Sequence, residues 1–75
     1  MIKLKKIRQI RYDENKTKYI DCFLYADTKQ EVTNGITGED VDSMEDNAKI
    51  DVGSMVLTSD FEVAQLNSSN QWVWG

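Results

Sequence analysis

The closing stretch, Gly53-Ser-Met-Val-Leu-Thr-Ser-Asp-Phe-Glu-Val-Ala-Gln-Leu-Asn-Ser-Ser-Asn-Gln-Trp-Val-Trp-Gly75, constrains the fold most. It reads as three short strands joined by turns at Ser59-Asp60 and Asn67-Ser-Ser-Asn70. Met55 and Leu57 point one way, and Ser54, Val56 and Thr58 the other. On the return strand Phe61, Val63 and Gln65 oppose Glu62, Ala64 and Leu66. Trp72 and Trp74 share one face of the terminal strand. The stretch therefore predicts a β-meander over residues 53–75.

A chain of 75 residues makes one domain with a limited core. Domains of this size often gain stability from disulfides, a metal or a partner. Cys22 is the only cysteine, so no internal disulfide can form. There is no histidine, and one thiolate with carboxylates is a poor zinc set. That leaves oligomerisation or docking on a larger body, and a homo-oligomer is expected. The N-terminus alternates apolar with charged residues and offers no signal-peptide core. No segment has the length to cross a membrane. The expectation is synthesis and folding in a cytoplasm, with no membrane partner; an unpaired cysteine agrees with a reducing compartment.

The net charge of −4 hides an asymmetry. Residues 1–18 carry a balance of +5, and residues 19–75 one of −9. A basic arm can serve nucleic acid. It can equally lie beside acidic strands, within one subunit or between two. The overall acidity favours the second reading, since nucleic-acid-binding domains normally carry a positive balance.

Along the chain, residues 1–26 read as a basic N-terminal hairpin. Ile2 and Leu4 alternate with lysines, but Ile7 and Ile10 follow at spacings of three. A strand here needs a bulge near Lys6–Ile7; a helix would fit the spacing too. Asp13-Glu-Asn-Lys16 is a turn cluster, and residues 17–26 are rich in aromatic and β-branched residues. There Ile20, Cys22, Leu24 and Ala26 share one face, while Tyr19, Phe23 and Tyr25 share the other with Asp21. An apolar outer face on so small a protein calls for a cover, either a partner or a second layer of the same chain. Residues 27–52 form an acidic loop region. It is expected to hold a short strand around Val32 and a helical turn near 38–46, opened by the Thr37-Gly-Glu-Asp40 capping box and carrying Val41 and Met44. A further strand is expected around Ile50 and Val52. The fold class is all-β or mostly β: a small antiparallel sandwich or open barrel of about six short strands.

No catalytic constellation is legible. Histidine-based schemes fail for want of histidine, and no motif supports a Ser-Lys pair. Cys22 falls on the aliphatic face of a strand, where a thiol packs and does not react. Asn34-Gly-Ile-Thr-Gly38 lacks the spacing and lysine of a phosphate loop. Asp40 and Asp42 begin a calcium loop that Met44, Glu45 and Asp51 fail to complete. The chain is expected to be no enzyme, with no catalytic residue, cofactor or metal. Interface residues are expected among Trp72, Trp74, Tyr19, Phe23, Tyr25, Lys5, Lys6 and Arg8, because aromatics and arginine carry binding energy.

Two stretches resemble a known group. Tyr25-Ala-Asp-Thr-Lys-Gln-Glu-Val32, followed by Gly53-Ser54, Thr58-Ser-Asp60, Glu62-Val-Ala-Gln-Leu66-Asn and Trp72, is similar to small structural proteins of tailed bacteriophages and prophages. The resemblance implies a non-enzymatic virion part: a capsid decoration, head-fibre or head–tail accessory protein. It would pair with itself (a trimer suits capsid three-folds) and with the major capsid protein or other virion proteins, and would be made in the host bacterial cytoplasm. The chain lacks the long repetitive segment of a full fibre, which favours a compact decorating or joining role. The alternative is a small phage-encoded nucleic-acid binder or inhibitor acting through the basic hairpin, with nucleic acid the less expected partner.

Overall fold

A computed structural model describes residues 2–45 and 47–75. Asp46, one of the acids of the loop region, lies outside the described residues. Strands β1 (Ile2–Tyr12) and β2 (Lys18–Ala26) form the N-terminal hairpin. A helix α1 (Lys29–Thr33) and a 3-10 turn (Gly38–Asp40) follow, then the two-residue strands β3 (Val41–Asp42) and β4 (Lys49–Ile50). Strands β5 (Met55–Thr58), β6 (Val63–Leu66) and β7 (Trp72–Trp74) close the chain. The chain is mostly β, as its residues predict. All these strands belong to one sheet, ordered β3-β1-β2-β5-β6-β7, with β4 also on β2.

Turn-linked neighbours pair antiparallel, as the hairpin and meander patterns require. The joins between these units are parallel instead: β2 with β5, β2 with β4, and β1 with β3. The sheet is therefore mixed, where sequence patterning alone pointed to antiparallel pairing. The cause is the crossover. Residues 27–52 carry the chain back along the sheet before β5 begins, and a returning crossover makes the next strand parallel.

The uneven apolar spacing of β1 has a geometric explanation. Its register with β2 slips between Leu4 and Lys6 and again between Ile7 and Gln9. Each slip inserts one unpaired residue, Lys5 and then Arg8, which resets the alternation. Ile2, Leu4, Ile7 and Ile10 then oppose Ala26, Leu24, Cys22 and Ile20 on one face. Spacings of two, three and three thus describe a doubly bulged strand and not a helix.

The core lies on that inner face. Ile20, Cys22, Leu24 and Ala26 of β2 are buried, beside Val56, Ala64 and Leu66. Residues 27–52 supply the covering layer through Val32, Val41, Met44 and Ala48. Val32 enters from a helix and not from the strand expected there. Thr28 and Glu31 make a capping box: the Thr28 N–H donates to Glu31 Oε1 (3.1 Å), and the Glu31 N–H to Thr28 Oγ1 (3.4 Å). The expected box at Thr37 is also present, with the Thr37 N–H donating to Asp40 Oδ2 (2.8 Å). It opens only one 3-10 turn. Val41 then leaves the helical path to pair with Ile2, so the helix does not extend toward residue 46.

One turn design recurs three times. In Asp13–Thr17 and Asn67–Gln71 the first side chain accepts from the N–H groups two and four residues on, at 2.9–3.0 Å. In Thr58–Glu62 the Thr58 hydroxyl accepts from the Glu62 N–H (3.2 Å) and donates to Asp60. The fourth residue is left-handed in each: Lys16, Asn70 and Phe61 have φ of 64°, 63° and 66°. Phe61 thus sits in a turn, 84% exposed, and not on the return strand.

Candidate functional site

The layer formed by residues 27–52 covers only one face of the sheet. No second layer of the described chain lies over the other. Tyr19, Phe23 and Tyr25 project from β2 onto that outer face, half-buried. Beyond Phe23 and Tyr25, across the parallel join, stand Met55 and Leu57 of β5. Val63 lies opposite Leu57, and Val73 opposite Gln65. The outer face is thus aromatic in the middle and aliphatic toward β7, with Leu57 and Val73 exposed.

The basic residues of β1 cover the aromatic rings. Lys5 Nζ lies 5.8 Å from the Tyr25 centroid. The guanidinium carbon of Arg8 lies 4.7 Å from that of Phe23, and that of Arg11 4.2 Å from that of Tyr19. These are cation–π distances. The bulges help to make the ladder, because they fall at Lys5 and Arg8 and bring extra basic residues over the rings. Six of the residues expected at an interface therefore meet on one surface: Lys5, Lys6, Arg8, Tyr19, Phe23 and Tyr25.

Acids hold the same cations in place. Arg8 Nη2 donates to Asp21 Oδ1 (2.8 Å) and to the Gly53 carbonyl (2.9 Å). Arg11 makes a two-pronged contact with Asp51, at 2.8 and 2.9 Å. Lys18 Nζ meets Glu45 Oε1 at 2.9 Å. The Arg11 hydrogen bond is the main cause holding the Asp51 carboxyl below its ordinary range, aided by the Val52 N–H and opposed by burial. The hydrogen bond to Glu45 chiefly raises the Lys18 ammonium. Basic and acidic strands thus lie side by side within one subunit. Lys3, Lys5 and Lys6 form no ion pair among the described residues and rim the outer face.

Trp72 and Trp74 do not join this surface. They oppose Leu66 and Ala64, so both rings lean on the core from the inner side. Lys29 of α1 lies 4.7 Å over the Trp74 ring and 3.4 Å from Glu62. Cys22 is fully buried. Burial pushes its thiol up, against a weak contact with Ser54 that acts to lower it. Ser54 is also fully buried, and nothing in its sequence context marks it beyond a strand position. Its hydroxyl accepts from the Cys22 N–H (3.1 Å) and donates to the Ile20 carbonyl (3.3 Å). It fastens β2 where the pairing passes from β4 to β5. Arg11, Leu57 and Val73 also belong to the outer surface, and period-two alternation along their strands was the signal for the last two.

Comparison of the chain with protein-family models, with curated proteins and with solved structures returns no match.

Proposed function

We propose that this chain is a non-enzymatic assembly module of a tailed-phage virion, and that the outer face of its sheet is its docking surface. The observation that carries the docking part is that face itself: an apolar and aromatic sheet surface over which no second layer of the described residues lies, beside lysines that form no ion pair among the described residues. Exposed apolar faces of this kind mark interaction sites. The cation–π ladder adds pre-organisation, since rings fixed before contact lose little freedom on binding. The virion part rests on the resemblance of residues 25–32 and 53–72 to phage structural proteins. The partners are then further copies of the chain, the major capsid protein or a neighbouring virion protein, and the location is the particle. The alternative, a nucleic-acid binder, is less well supported because Arg8, Arg11 and Lys18 are already engaged by Asp21, Asp51 and Glu45.

The experiment is co-sedimentation of the purified chain with particles or capsids of the encoding phage, with duplex and single-stranded DNA in parallel. Saturable particle binding that Leu57→Glu abolishes is the expected result. DNA binding that weakens steeply with salt, without particle binding, overturns the proposal in favour of the nucleic-acid reading.

A further inference from the structure

A hollow lies between residues 34–38, residues 47–52 and the β6–β7 turn, and reaches the edge of the outer face at Tyr19. Its volume is about 760 Å³, within the span of small-molecule sites. Trp72 forms one wall, half-buried, and the buried side chains of Ile50 and Leu66 lie beside it. Asn34, Asn47 and Asn70 are also among its lining residues. Among the described residues, no hydrogen bond engages any of these three side chains. Each amide offers both a donor and an acceptor. The described lining contains no carboxylate and one ammonium, Lys49.

We propose that this hollow binds a neutral saccharide. A sugar ring has a C–H face to lie against the Trp72 ring and hydroxyls that both donate and accept, which side-chain amides match. Charge decides against a nucleotide, whose base would also stack. The described lining offers a phosphate one ammonium only, and the chain carries a net −4. The hollow meets the outer face at Tyr19, which lines both, while its other lining residues are not among those assigned to docking.

The test is amide NMR titration of the folded chain with glucose, galactose, N-acetylglucosamine and their short oligomers, with adenosine monophosphate as the competing class. Saturable shifts confined to Trp72 and the segments around Asn34, Asn47 and Asn70 are expected for at least one sugar. Trp72→Phe should weaken that binding about tenfold, equivalent to about 1.4 kcal/mol. Trp74→Phe, whose ring lies outside the hollow, should leave it unchanged. Asn47→Ala is a second variant, at an exposed position, and should also weaken binding. No saturable shift with any sugar, shifts centred elsewhere, or tighter binding of the nucleotide would each overturn the proposal.

Discussion

Strand β2 has two faces with different covers. On the inner face Ile20, Cys22, Leu24 and Ala26 are sealed by the chain's own layer, at 0–3% exposure. On the outer face Tyr19, Phe23 and Tyr25 are roofed only by cations from β1 and stay half-buried. A chain of 75 residues has material for one covering layer. It spends residues 27–52 on one side and protects the other with long basic side chains, whose stems are apolar and whose heads remain in water. Such a cover can shift aside for a partner; a packed layer cannot without unfolding.

The contrast can be broken by mutation. Leu24→Ala, on the sealed face, should cost about 2–5 kcal/mol and leave much of the population unfolded in a urea titration. Phe23→Leu, one residue away on the open face, should cost less than about 1.5 kcal/mol in the same titration. Similar losses for both would mean that the outer face is core. Ser54→Ala comes next, at about 1–3 kcal/mol, because the buried Cys22 N–H loses its acceptor. Arg8→Gln should cost about 0.5–1 kcal/mol through its ring and carboxylate contacts, and less at high salt. The last effect is one of pH. Asp51 has a depressed folded pKa, so its contribution is full above the ordinary carboxylate value near ~4 and fades as pH falls below it. Thermal melts of Asp51→Asn should fall below those of the parent at neutral pH and converge with them in acid.

The two faces of β2 were legible in the sequence because period two is set by the backbone alone. The bulges of β1 were half legible: the broken alternation at Lys6–Ile7 pointed to one, but pairing with β2 was needed to show two. Sequence patterning expects a strand around β-branched Val32, but the Thr28–Glu31 capping box starts a helix there, and propensity is the weaker signal. Strand β4 falls at Ile50, where a strand is expected, but stops short of Val52; β3 lies where a helical turn is expected. Two residues each, they exist because β1 and β2 offer open edges. Alternation with Val63 and Gln65 predicts Phe61 on the return strand, but it takes a positive φ, rare for a large side chain, and ends the turn instead. For the candidate site, residue type points to the aromatic and basic residues that share the outer face. Residue type does not separate core from interface for Trp72 and Trp74, since an aromatic near a terminus serves either, and only register places those rings on the inner side.

The docking role of the outer face is tested most directly by amide hydrogen exchange of the chain, free and bound to the encoding particle. Binding through that face predicts added protection at Phe23–Tyr25, Met55–Leu57 and Val73, with the 34–52 segment unchanged. Protection confined to the 34–52 segment, with the outer strands exchanging as in the free chain, would contradict it.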